Sequence, residues 1–270
     1  MAMPGDKWSR WLKEERWGDH RDLLEAALNS VRDHILALAR VQPNDRVLDL
    51  GSGTGLLGLR AAEMVGSTGT VAFLDISADS LKTAVSQASV GCERFLVADV
   101  LHCPIRDGWA NVAIMRSVLI YITDRLTAAR EIARVLPPGG RFVAFEPINR
   151  RMEQIVNMTG YEDVEEAALA AKELNPLTNF DEDDLVEAFE LAGFDSAEIE
   201  MSESRFPVRG REWAHGFKHG APAGYSAYDM LLSAGISAER ADEFVVAGER
   251  QIGDEWRVWG CPAVYLKALR

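Results

Sequence analysis

Three aspartates and one run of glycines are the residues here whose types and spacing could do chemistry. Asp75 and Asp99 each close a short apolar run, and Asp49 sits one residue before the end of another, which opens into Gly51-Ser52-Gly53-Thr54-Gly55. A carboxylate at the end of a buried apolar run needs a polar partner, because an unpaired buried charge is costly. Glycines let the backbone turn tightly and approach a ligand closely. Together these groups suit a ligand that carries a cationic amine, a ribose and an adenine. Arg116-Ser117 and Glu146 close two further apolar runs and extend the same set.

The elements that must position these residues follow from the pattern between about residues 44 and 148. Short apolar runs alternate there with helical periodicity, which predicts a parallel sheet with crossover helices. Strands are expected at 46–50, 70–74, 94–98, 111–115 and 141–145. Ser77 and Thr123 are placed to cap the helices that follow two of them, and Pro137-Pro138-Gly139-Gly140 ends a helix before the fifth strand. Ligands on such sheets bind beyond the carboxyl ends of the strands, at the switch in strand order. All of the residues named above fall at those ends.

The pattern then changes. Residues 150–178 are helical in composition, Asp181 caps a helix that Gly193 ends, and 197–202 alternates like an exposed strand. A long connection over 206–256, helical in its 237–251 part, leads to a last strand at 262–269. A strand, a long excursion and a final strand predict an antiparallel pair at the sheet edge. The whole chain, 1–270, reads as one Rossmann-like, doubly wound α/β domain. Segments 1–30, 150–178 and 205–255 are expected to form a lid that shapes an acceptor site.

The glycine loop alone is ambiguous. Gly53-Thr54-Gly55-Leu56-Leu57-Gly58 satisfies the dinucleotide fingerprint, which would make the chain a nicotinamide-dependent oxidoreductase. Asp49 argues against it, since a carboxylate just before the loop repels a pyrophosphate and favours a cationic amine. Asp99 argues the same way, because it is placed for an adenine edge. Asp75 discriminates less: an acid about 20 residues beyond the loop holds ribose hydroxyls in either case.

Five segments taken in order resemble the class I S-adenosylmethionine-dependent methyltransferases: VLDLGSGTG at 47–55, FLDIS around Asp75, VADV around Asp99, RSVLIY from Arg116 to Tyr121, and RVLPPGG from Arg134 to Gly140. The resemblance implies a seven-stranded sheet with its last strand antiparallel. It implies that S-adenosyl-L-methionine packs on Gly51, Ser52, Gly53 and Gly55, with its amino group at Asp49, its ribose at Asp75 and its adenine amine at Asp99. Ile76 and Val100 would sandwich the adenine, and the backbone at Arg116 and Ser117 would close the methionine end. S-adenosyl-L-homocysteine is the implied product. Methyl transfer to oxygen or nitrogen of a small molecule or short peptide-like acceptor, of specialised-metabolite type, is the implied activity. A cofactor-binding module without catalysis is the other outcome. The fourth strand is not followed by the N/D-P-P-Y/F element of enzymes acting on nucleic-acid base amines, nor by the paired-Glu loop of protein arginine methyltransferases.

A base is required for hydroxyl acceptors and less so for neutral amines. His20, His215, Tyr121 and Glu146 are the candidates. Glu146 either faces the acceptor or forms an ion pair with Arg116, Arg150 or Arg151, since buried acids need partners. His34 reads as structural. Trp8, Trp11 and Trp17 near the start and Trp213, Trp256 and Trp259 near the end offer either an aromatic cage or packing for the lid.

Composition sets the outer bounds. A chain of 270 residues, 47% hydrophobic, builds one sizeable core. Its net charge of -13 disfavours nucleic acid as a partner. Three cysteines, far apart, predict neither a disulfide framework nor a bound metal, and fit a reducing cytoplasm. No apolar run has the length of a membrane span, and the first residues lack the apolar core of a signal peptide. The oligomeric state stays open, a dimer included.

Overall fold

The computed structural model describes residues 6–15, 21–151, 157–175, 178–222 and 224–270. The chain begins with α1 (Lys7–Arg10), capped by Asp6 and continued by a π-turn over Trp11–Glu15, and then α2 (Arg21–Leu38). The alternating region follows: β1 (Arg46–Leu50), α3 (Leu56–Val65), β2 (Thr70–Asp75), α4 (Ala78–Gln87), β3 (Glu93–Val97), β4 (Val112–Arg116), α5 (Arg125–Val135) and β5 (Arg141–Pro147). The second half supplies α6 (Glu162–Leu174), α7 (Glu182–Leu191), β6 (Ser196–Val208), α8 (Gly210–His219), α9 (Ala227–Ser233), α10 (Ala238–Ile252) and β7 (Arg257–Leu269).

The sheet has seven strands in the order β3-β2-β1-β4-β5-β7-β6. The first five are parallel, and β7 runs antiparallel to both β5 and β6. The order reverses between β1 and β4, so the switch point falls where the glycine loop leaves β1.

Period-two alternation divides each strand between two cores. Leu48, Leu50, Ala113, Met115, Phe142 and Ala144 face α5 and α7, where Ile132 and Phe189 are buried. Val47, Phe73, Ile114, Val143 and Phe145 face α2 and α3, with Ile35, Leu36 and Leu57. The pairing of sides is forced: Asp49, between Leu48 and Leu50, must point to the α2/α3 side, into the core rather than to solvent. A third cluster, formed by Val164, Val208, Trp213, Leu231, Phe244, Val245 and Ile252, joins α6, α8, α9 and α10 above the carboxyl edge.

Local chemistry explains most helix starts. Ser77 caps α4 by accepting the Ser80 N–H at 2.9 Å, as expected. Asp181 caps α7 in a reciprocal box with Asp184. The cap of α5 is Asp124 rather than Thr123: its carboxylate takes the Thr127 N–H at 2.9 Å, and an anion there also opposes the helix dipole. The edge hairpin is longer than its apolar content predicted. β6 and β7 pair from Ser196↔Leu269 to Val208↔Arg257, well beyond the body of the sheet. No helix among the described residues is long and apolar enough to cross a membrane.

Candidate functional site

Asp49, on β1, is 1% exposed. Its Oδ2 accepts the Gly58 N–H at 2.8 Å. A side chain at Gly58 would prevent this, because a Cβ there would lie 2.3 Å from Phe73 and 2.8 Å from Oδ2. Oδ1 is buried and has no hydrogen-bond partner. Burial pushes the Asp49 carboxyl up to about 8, with the nearby Asp75 charge adding to the shift and the Gly58 N–H opposing it.

The glycine loop is locked from three sides. The Gly51 and Ser52 N–H groups donate to the Leu74 carbonyl at 2.8 and 3.1 Å. Gly51 has φ +65, and a Cβ there would lie 2.3 Å from Val118 Cγ2. The Gly53 N–H donates to Asp75 Oδ2 at 2.7 Å, while Asp75 Oδ1 takes the Ser77 N–H at 2.8 Å. Burial raises the Asp75 carboxyl, which these two N–H groups partly offset. Ser52 Oγ is buried without a partner.

The adenine side is asymmetric. Ile76, directly after β2, is 55% exposed, a large apolar surface at the ligand edge. Val100, expected to face it, is 5% exposed and packs into the sheet core. Asp99 caps the short turn Val100–His102 through the Leu101 N–H at 2.9 Å and is otherwise exposed.

Glu146 corrects an expectation. It is fully buried but forms no ion pair with Arg150 or Arg151, which engage Asp181 and Glu182. Instead it accepts three backbone N–H groups: Val118 at 2.9 Å, Leu119 at 3.0 Å and Ile120 at 3.2 Å. Its carboxylate therefore braces the turn after β4, where Ser117 sits at φ +52. Burial pushes Glu146 up to about 7, against the three N–H groups and the Arg116 charge. Arg116 is its electrostatic counterweight rather than a contact: the guanidinium Nε is buried without a hydrogen bond, and burial lowers its basicity. Three of its acceptor positions are taken by backbone N–H groups, which tie Glu146 to the turn.

Residues 6–15 cover the loop. Leu12 lies against Gly53, where a Cβ would sit 3.1 Å from Leu12 Cδ1. Two bonds from α8 hold this roof down: His215 Nε2 donates to the Glu15 carbonyl at 2.7 Å, and Trp11 Nε1 donates to the His219 carbonyl at 2.8 Å. His215 thus spends its Nε2 on the backbone. Tyr121 ends the turn braced by Glu146 and meets Trp8 edge-on at 4.7 Å and Tyr225 at 5.4 Å. Tyr225 carried no signal in the sequence, since it lies in an irregular Gly/Pro segment. Trp213 is buried in the third core, and His34 bonds Glu200 at 2.8 Å, both structural placements. His20 and Trp17 lie outside the described residues. Among the described residues no cluster of His, Cys, Asp or Glu is arranged to hold a metal.

A concavity lined by Arg130, Arg134, Pro137 and Arg270 lies at the opposite edge of the sheet, where the parallel strands begin, away from these carboxylates.

This sheet order and loop define the Rossmann-like fold of the class I methyltransferases. The chain belongs to the family described as methyltransferase domain, whose profile matches residues 42–193. It is 33% identical over 130 residues to the ubiquinone/menaquinone biosynthesis C-methyltransferase UbiE of Ectopseudomonas mendocina, covering 46% of this chain and 51% of that one. The chain spans about half the length of the curated relatives it matches. Among solved structures it is similar to the BH2331 protein of Bacillus halodurans, at TM-score 0.60 and 16% identity over 89% of this chain and 98% of the other. It is also similar to Haemonchus contortus phosphoethanolamine N-methyltransferase 2 in complex with S-adenosyl-L-methionine, at TM-score 0.56 and 16% identity over 97% and 60%.

S-adenosylmethionine is the methyl donor of this family, and the edge fits it. Two buried polar atoms with no protein partner, Asp49 Oδ1 and Ser52 Oγ, border the loop, and Arg116 Nε is a third at the end of β4. An exposed Ile76 offers an apolar face beside the β2 carboxylate.

Proposed function

We propose that this protein transfers the methyl group of S-adenosylmethionine to oxygen or nitrogen of a small-molecule acceptor. The observation that carries this is Asp49 Oδ1, an acceptor atom held in the core at the switch point with nothing in the protein to satisfy it. A cationic amino group placed there would supply the missing partner and repay the cost of burial. Asp75, already fixed by two N–H bonds, keeps lone pairs for ribose hydroxyls, and Asp99 and Ile76 take the adenine edge and face. The bound donor supplies an electrophilic methyl on a sulfonium. The protein's own work is alignment and exclusion of water, where orientation alone is worth ~7–11 kcal/mol.

The acceptor is set outside the matched region. Helices α8 to α10 and the first fifteen residues fall beyond 42–193, so the carbon acceptor of the UbiE relatives does not transfer with the cofactor half. A specialised metabolite or a short peptide-like molecule, in a cytoplasmic setting, is the acceptor class we favour. Calorimetry with S-adenosylhomocysteine tests the binding site: micromolar affinity that falls at least about a hundredfold in Asp75→Ala supports it, and no heat from a folded sample refutes it. Release of S-adenosylhomocysteine from S-adenosylmethionine in the presence of acceptor separates an enzyme from a binding module.

A further inference from the structure

Trp8, Tyr121 and Tyr225 come from three distant parts of the chain and meet as three mutually touching rings. Their centroids are 4.7, 5.4 and 5.7 Å apart. All three are only half-buried, so they are not a closed core cluster. The group stands beside the glycine loop. Tyr121 ends the turn whose Val118 packs on Gly51, and Leu12, one helical turn beyond Trp8, packs on Gly53.

This cluster already holds a cation. The ammonium of Lys7 lies 4.2 Å from the Tyr225 ring centre and 5.7 Å from that of Trp8. An ammonium within about 6 Å of an aromatic face is attracted by the negative face of the ring. The wider field has the same sign, because a chain of net charge -13 draws cations toward its clefts.

From this juxtaposition we propose that Trp8, Tyr121 and Tyr225 form the acceptor site for a small tertiary amine, with Lys7 occupying it when no acceptor is bound. The proposal rests on the methyl-transfer function above and narrows its substrate class to nitrogen. The chemistry agrees. A tertiary amine that arrives neutral attacks with its lone pair, a new N–C bond forms, the electron pair of the broken S–C bond remains on sulfur, and the transfer itself releases no proton. Two of the candidate bases, Glu146 and His215, bond backbone groups. Positive charge grows on nitrogen as it is alkylated, so ring faces around it favour the transition state over the neutral amine.

The test is a binding experiment on the full chain saturated with S-adenosylhomocysteine, using tetramethylammonium chloride as probe and tryptophan fluorescence and calorimetry as readouts. Choline and its uncharged isostere 3,3-dimethylbutan-1-ol follow in the same assay. Tetramethylammonium is expected to bind, and choline to bind at least about fivefold more tightly than the isostere. Tyr225→Ala should weaken tetramethylammonium about fivefold or more, whereas Lys7→Met should strengthen it, by removing the internal competitor. A variant counts only if it retains S-adenosylhomocysteine affinity. Tetramethylammonium that fails to bind the loaded wild-type protein, or choline and isostere binding equally, overturns the proposal while leaving the methyl-transfer function intact. Failure of S-adenosylhomocysteine itself to bind would instead strike at that function.

Discussion

Glu146 and Val118 meet across two strands: Oε1 of Glu146, at the end of β5, accepts the Val118 N–H at 2.9 Å, and Val118 in turn lays its side chain on Gly51. A carboxylate outside the loop thereby sets the floor of the glycine loop. Replacing it by Glu146→Gln keeps one acceptor oxygen but turns an N–H₂ group toward a backbone N–H. We expect a loss of about 2 kcal/mol in stability and a roughly tenfold weaker S-adenosylhomocysteine complex, with Glu146→Ala costing more. Urea unfolding and calorimetry on the same samples check both figures. Unchanged cofactor affinity in a destabilised variant would uncouple the turn from the loop.

Gly51→Ala should be worse than an ordinary glycine replacement. The backbone is at φ +65 and the new methyl meets Val118 Cγ2 at 2.3 Å. Strain and overlap together predict about 2 kcal/mol of destabilisation and at least a tenfold loss in cofactor affinity. The double variant with Val118→Ala should recover the steric part but not the strain, a coupling that a mutant cycle measures.

The Asp49 carboxyl, pushed up from 3.8 to about 8, holds a proton in the folded protein that the unfolded chain has already released. Between those two values the folded state binds more protons, so stability falls as pH rises across the interval. Glu146, raised from 4.5 to about 7, adds a contribution of the same sign. Asp49→Asn should flatten the decline of melting temperature between about pH 5 and 8. A cationic amino group beside Oδ1 favours the carboxylate, so S-adenosylhomocysteine binding should release a proton below about pH 8 and tighten toward it. Calorimetry in two buffers of different ionisation enthalpy reads this proton directly, and Asp49→Asn should abolish it.

His215→Ala should loosen the roof without changing any proton transfer. Losing its 2.7 Å bond to the Glu15 carbonyl is expected to speed amide exchange over residues 6–15 and to raise the S-adenosylhomocysteine off-rate about fivefold. Exchange mass spectrometry and stopped-flow displacement measure the two. A pH profile of turnover that loses a limb in this variant would restore His215 as a base.

The cofactor half was legible in the sequence because its chemistry is local. β1 and β2 begin at Arg46 and Thr70, where the pattern placed them, with Asp49 one residue before the end of β1 and Asp75 at the end of β2. Glu146 was legible as a buried acid but not in its role, since acceptance of backbone N–H groups leaves no mark on the partner residue types. The same holds for His215 and Trp11, whose bonds go to carbonyls. β6 and β7 overran their predicted ends because, past the sheet body, the two strands satisfy each other's backbone without needing apolar side chains. Val258 there is 70% exposed. The cage was only half visible: Trp8 stood out as an indole near the chain start, while Tyr225 had no pattern around it.

The contacts that close the roof join residues 208 and 200 positions apart, Trp11 with His219 and Glu15 with His215. During synthesis β1 to β5 and the glycine loop precede α8, which fastens residues 6–15. A newborn chain therefore leaves the glycine loop unroofed until α8 arrives. Closure of the roof over the glycine loop is tied in this way to completion of α8.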